Sequence, residues 1–333
     1  MSLSRREVLK LLVATATSPI WSPALARVVK VMAAQPSTTP IVWINQGTDH
    51  ANLLAQLGQQ LPDFLSLVSE KWQLGQFPPL APTGYHPASK SFSSAPVLVL
   101  ETLPSNAEMA PVKDQENAFR ELIGQAKAVI LLGTEVCFGG LQVPADDVAT
   151  FHALCRELKT PVIKLPGIPV PPHHVVGTLA HLDMVGFPRL DAYRRPVMYY
   201  GETVCTHCER RKDLENGRFA STLGQAGCLL ELGCKGPITH NTCATTRWNG
   251  GENWCVGAGG PCTGCSDPGY PNHGGLGLYG RLPADRLGAH SALLRHVDGL
   301  GWGLLGLAGA GAAIHLARKL MSNHDEPQEP RKS

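Results

Sequence analysis

Eight of the ten cysteines in this 333-residue chain fall in one stretch: Cys205, Cys208, Cys228, Cys234, Cys243, Cys255, Cys262 and Cys265. Cys205/Cys208 and Cys262/Cys265 are Cys-x-x-Cys pairs, a spacing that brings two thiolates onto one centre, as zinc and iron–sulfur sites require. By spacing alone three chemistries stay open: iron–sulfur clusters, zinc and disulfides. An even cysteine number suits disulfides in an exported chain. Cys-x-x-Cys, however, closes into a strained, reducible bridge that staples poorly. Zinc would use the same sets of four thiolates. The surrounding segment, about 189–272, is rich in Gly, Cys, Asn, Trp and Pro and shows little hydrophobic periodicity. With few aliphatic side chains to bury, it needs cross-links or metal to hold it.

The elements that must carry these thiols lie upstream. From 39 to 188, apolar β-like runs alternate with helical stretches. Strands are predicted at 41–44, 96–100, 128–132 and 162–165, and helices at 51–72, 114–125 and 147–158. Short, nearly continuous aliphatic strands separated by helices indicate a parallel sheet covered on both faces. The prediction is an α/β fold: a flavodoxin-like doubly wound domain over 39–188, with ligands at the carboxyl ends of its strands. A small irregular cysteine-rich domain follows over 189–280.

The chain ends suggest where the protein works. Ser4-Arg5-Arg6 through Lys10 precede an apolar run and Ala24-Leu25-Ala26, the order of a signal peptide over 1–26. The Arg5-Arg6 pair resembles a twin-arginine signal, a route that exports folded, cofactor-loaded proteins. Near the other end a glycine-rich apolar stretch reaches about 17 residues, the lower limit for spanning a bilayer. Arg318 and Lys319 follow it, as for a tail that returns to the cytoplasm. A membrane-anchor helix is therefore predicted over 298–318, with a polar tail over 322–333. Net charge is only +2 and no long basic run occurs, which argues against nucleic acid as a partner. Folded export and an anchor favour a redox cofactor over a structural metal.

Two long runs carry a family resemblance. Gly227-Cys228-Leu229-Leu230-Glu231-Leu232-Gly233-Cys234-Lys235-Gly236-Pro237 resembles the small subunit of nickel–iron hydrogenases. So does Arg247-Trp248-Asn249 through Asn253-Trp254-Cys255 to Gly259-Gly260-Pro261-Cys262-Thr263-Gly264-Cys265-Ser266. The match is close over 200–271 and continues more weakly upstream, through Val99-Leu100-Glu101, Gly133-Thr134, Pro166-Gly167 and Val176-Gly177-Thr178-Leu179. The twin-arginine signal and the C-terminal anchor resemble the exported, membrane-bound members.

The family carries proximal, medial and distal clusters in line. The resemblance implies a distal 4Fe-4S cluster on Cys205, Cys208, Cys228 and Cys234. Relatives normally have histidine at the position of Cys205, and His207 inside the pair is an alternative ligand. An all-thiolate distal cluster would sit at lower potential, since thiolate donates more negative charge than imidazole. The medial cluster would take Cys243, Cys262 and Cys265. Cys255 stands where many relatives have proline and a three-iron cluster, so a second 4Fe-4S cluster is expected, with 3Fe-4S as the alternative.

The proximal ligands are where the sequence departs from the family. Relatives place Cys-x-x-Cys where this chain has Asp49-His50-Ala51-Asn52. Their third thiolate follows Gly-Thr, here Glu135; their fourth follows Pro-Gly, here Ile168. Oxygen and imidazole suit these clusters far less than thiolate, so an empty or refilled pocket is expected. The implied function is an electron-transfer subunit. It would work between a hydrogenase-type large subunit and a membrane carrier such as a cytochrome b, on the periplasmic face, and it carries no catalytic nickel site. A genuine hydrogenase small subunit with an unusual proximal cluster, and a structural or regulatory paralogue, are the alternatives.

Overall fold

The computed structural model describes residues 39–44, 74–77, 94–103, 113–248, 251–283, 286 and 306–315. The predicted signal (1–26), the helix over 51–72, the tail over 322–333, and positions Asp49 and Asn52 lie outside them.

Five parallel strands form one sheet: β1 (Ile41–Ile44), β2 (Leu74–Phe77), β3 (Val97–Leu100), β4 (Ala128–Leu132) and β5 (Val162–Leu165). Their order is β2-β1-β3-β4-β5, the flavodoxin-like arrangement. Register runs Ile41↔Val97, Val97↔Ala128 and Val129↔Val162. Successive side chains leave a strand on opposite faces, so each aliphatic run feeds two cores. Val97, Val99, Ile130 and Ile163 pack on one face; Leu98, Leu100, Val129 and Leu131 pack on the other. The second face is covered by α1 (Lys113–Gln125) through Phe119 and Ile123, and by α3 (Ala145–Glu157) through Val148 and Phe151. A short α2 (Thr134–Phe138) follows β4 directly.

Among the elements absent from the predicted set, β2 and α4 shape the sheet and its cover. β2 has the sequence LGQF, without an aliphatic run, and sits at the sheet edge. Its place is set by pairing with β1 rather than by its own pattern. The first face is covered by α4 (Pro172–Met184), which starts with Pro at its first position. Residues 172–182 of this helix are all buried. A helix buried all round gives no amphipathic stripe to read, which is why the sequence pattern missed it.

Beyond 189 the chain folds with little regular structure, around cores made partly of cysteine. Val204, Leu229, Cys234, Trp254 and Cys262 form one cluster; Cys205, Leu214, Leu230 and Leu282 form another. Among the described residues no helix is long and apolar enough to cross a membrane. The described part of the predicted anchor, 306–315, is helical and exposed.

Candidate metal centres

Short turns set the first group of thiols. Cys205 lies in a 3-10 turn (Val204–His207), and the Cys208 N–H closes it onto the Cys205 carbonyl. Cys228 precedes, and Cys234 follows, a second such turn (Leu229–Leu232). Gly233 makes that return at φ 89°, and a Cβ there would stand 2.0 Å from the Tyr279 carbonyl oxygen. Only glycine fits both constraints.

These turns bring Cys205, Cys208, Cys228 and Cys234 to the wall of one cavity, partly open to solvent. Leu214, Leu229, Leu230 and Val256 make the rest of the wall largely apolar. Gly236 also lines it, and a Cβ there would come within 3.4 Å of Cys234 Sγ. Trp254 lines it too; its indole N–H is buried with no partner in the protein. His207 does not line this cavity: its imidazole pairs with Glu202 on the surface.

The cavity is tuned by donors to sulfur. The backbone N–H groups of Arg210, Leu230 and Gly236 point at Cys208, Cys228 and Cys234 respectively. Arg211 Nη1 lies 3.8 Å from Cys205 Sγ, and the Nε of the same guanidinium donates to Glu215 at 2.8 Å. Burial, together with repulsion among the thiols, outweighs these donors. It pushes Cys208 up to about 12 and Cys228 up to about 11. Buried thiols gathered this way ionise only against a positive core, which fits a metal-bound tetrad.

The second group is Cys243, Cys255, Cys262 and Cys265. Cys243 opens α5 (Cys243–Thr246), and the Trp248 indole N–H donates to its sulfur. Cys262 and Cys265 flank Gly264 at φ 78°, where a Cβ would meet the His273 ring at 2.5 Å. Cys243 interacts electrostatically with Cys265 and Cys255, and Cys262 with Cys265 and Cys243. Cys255 is exposed, while burial raises the other three thiols. Asn241 nearby leaves its buried Nδ2 without a partner, a second orphaned donor. The groups touch each other: the Cys262 N–H donates to Cys234 Sγ at 3.4 Å.

All ten cysteines are free, so disulfides do not organise this lobe. Among the described residues no three His, Cys, Asp or Glu close to single-ion spacing. Four thiols on one cavity wall are a donor set that iron–sulfur clusters use.

The sheet meets the second group at its strand ends. Thr134, after β4, donates to the Cys265 carbonyl and accepts from the Gly167 N–H at 2.9 Å. The Ile168 N–H bonds Cys265 sulfur, while its side chain is 47% exposed. Glu135 turns to its own loop, accepting from Gln142 N–H at 2.9 Å and from Leu141 N–H at 3.4 Å. A hydrogen-bonded chain completes the junction. Tyr200 donates to the Pro166 carbonyl at 2.8 Å, so it accepts from His174 Nδ1 at 3.0 Å. That leaves His174 Nε2 to accept from Thr242, next to Cys243, at 2.8 Å. Arg211, Trp254, Asn241 and this chain of bonds were absent from the predicted site. Only Trp254, beside Cys255 in a family-like run, carried any signal.

Residues 200–276 match the family profile for the C-terminal part of the NiFe/NiFeSe hydrogenase small subunit. The chain is 31% identical to the Hydrogenase-2 small chain of Escherichia coli K12 over 296 residues, covering 82% of this chain and 79% of that one. It is 32% identical to the quinone-reactive Ni/Fe-hydrogenase small chain of Wolinella succinogenes, over 62% of this chain and 61% of that one. Among solved structures, an actinobacterial-type NiFe-hydrogenase from Ralstonia eutropha H16 superposes with TM-score 0.59 at 21% identity. It covers 89% of this chain and 94% of that one, a likeness of fold.

Proposed function

This chain belongs to the small-subunit family of nickel–iron hydrogenases, and from that premise we propose that it is the iron–sulfur electron-transfer subunit of a nickel–iron-hydrogenase-like complex. The observation that carries the reading is the apolar cavity walled by four free cysteines.

Cys205, Cys208, Cys228 and Cys234 would hold a distal 4Fe-4S cluster, and Cys243, Cys255, Cys262 and Cys265 a medial one. Each cluster, when bound, supplies a one-electron couple. The residues do the rest. Backbone N–H groups aimed at sulfur stabilise thiolate charge, and the aliphatic walls exclude water. Cys255 supplies the fourth medial thiolate from an exposed position; without it Cys243, Cys262 and Cys265 would suit a 3Fe-4S core. At the vacated proximal corner, the carboxylate of Glu135 is engaged by two backbone N–H groups. That supports loop closure rather than iron ligation there.

The partner on one side would be a hydrogenase-type large subunit, to which any hydrogen chemistry would belong. On the other side stands a membrane carrier such as a cytochrome b. A relative named quinone-reactive and one named periplasmic support that placement on the outer face of the membrane; the Arg5-Arg6 pair supports export by the twin-arginine route.

Iron and acid-labile sulfide analysis of the purified complex, with EPR on the reduced form, tests the reading. About eight irons agree with two cubanes, and about twelve point to a third cluster and a conventional hydrogen-linked relay. Full iron loading with no four-iron signal on reduction would make the relay wrong.

A further inference from the structure

Lys235 follows directly on Cys234, and its side chain is fully buried. Its Nζ donates to three carbonyl oxygens: Gly233 at 2.9 Å, Leu278 at 3.2 Å and Gly280 at 2.5 Å. Three acceptors around one nitrogen match the three N–H groups of an ammonium. None of the ion pairs among the described residues includes it. A buried cation without a carboxylate is costly to hold: burial lowers the Lys235 pKa, and the charges of Cys234 and Cys262 act to raise it.

Those two sulfurs come from different tetrads. Lys235 N–H donates to the Cys262 carbonyl at 2.7 Å, and Cys262 N–H donates to Cys234 Sγ at 3.4 Å. The lysine is thus bound into the seam where the two groups of cysteines meet. Arg211 differs in reach: of the cysteines, it bonds to Cys205 alone.

We propose that Lys235 is the shared counter-ion of both cysteine tetrads, a fixed internal cation that raises the reduction potentials of the two clusters together. The inference rests on the two-cluster reading above. Four thiolates leave a 4Fe-4S centre with net negative charge, and reduction adds another. A cation common to both sites favours the reduced form of each. Its three carbonyl contacts keep it in place whichever centre holds the electron.

The test uses the intact complex with Lys235→Met, Lys235→Gln and Lys235→Arg, titrated with dithionite and followed by EPR. At a fixed solution potential, each neutral variant should lower the reduced-to-oxidised ratio of both clusters by about tenfold, equivalent to about 59 mV for one electron. Lys235→Arg should hold both ratios within about twofold. A shift confined to one cluster, or absent from both, would overturn the counter-ion role. If the neutral variants load no iron, the arginine form decides. Loading at unaltered potentials supports the role of charge. Loss of clusters there too would reduce Lys235 to an anchor for residues 278–280 and overturn the proposal. Fewer than two cluster signals in the unaltered protein would sink the two-cluster reading first, and this inference with it.

Discussion

At Cys205 the chemistry turns on one neighbour. A thiolate there adds negative charge to the distal tetrad, and the Arg211 guanidinium 3.8 Å away offsets it through an N–H···S contact. Arg211 is about a quarter exposed and shares its charge with Glu215, so solvent screens part of the effect. Arg211→Gln should lower the distal potential by roughly 40 mV, or about 1 kcal/mol, and leave the medial potential in place. EPR-monitored titration reads both; an equal shift at the two clusters would assign the effect to folding rather than to this contact. The cysteines themselves were legible as candidates because their type and Cys-x-x-Cys spacing can be read directly from the sequence. Arg211 was not, because its approach to Cys205 depends on the intervening 3-10 turn closing on Cys208.

Among the elements, the ends of β4 and β5 matter most, because they brace the second tetrad. Thr134 takes two bonds at once, donating to the Cys265 carbonyl and accepting from Gly167. Thr134→Val keeps the shape and strands both partners, at a cost of about 1–3 kcal/mol. The medial cluster should then lose iron to a chelator several-fold faster while the distal one keeps its rate, followed by the separate decay of their EPR signals. Equal loss from both would show that the brace acts on the whole lobe. The strands that carry this brace were predictable from their aliphatic runs; β4, with AVILL, is buried at all five positions. Their use as a brace was not, since Thr134 and Cys265 are distant in sequence.

The whole molecule joins two kinds of core. Hydrophobic cores on both faces of the sheet contain none of the eight clustered cysteines, whereas those of the lobe are built around Cys205, Cys234 and Cys262. Removing iron should therefore expose 200–280 to limited proteolysis while 113–190 stays protected, because the lobe loses its centre and the sheet does not. Cleavage of both regions at one rate would contradict this. Acid acts on the junction between them. Burial lowers His173 from 6.5 to about 3, and burial with the neighbouring His173 lowers His174 as well. Between those values the unfolded chain binds protons that the folded chain refuses. The stability these histidines leave intact is full above about pH 6.5 and is lost as pH falls toward 3. For His173 alone the loss is about 1.4 kcal/mol per pH unit. Urea midpoints measured at pH 7 and pH 5 should fall accordingly; no change would mean the imidazoles open to water.

The sequence alone determined which thiols this protein carries and their local spacing, because both are read directly from residue type and order. It also determined the parallel sheet, because strands buried on both faces must be aliphatic nearly throughout. The family resemblance implied how the eight thiols divide; only the tertiary structure brought Cys205, Cys208, Cys228 and Cys234 to one cavity wall, through turns such as the one at Gly233, with its positive φ. The same holds for Arg211, Trp254, His174 and Lys235. Their roles rest on distances and burial between segments far apart in the chain, and no local pattern encodes a distance of that kind.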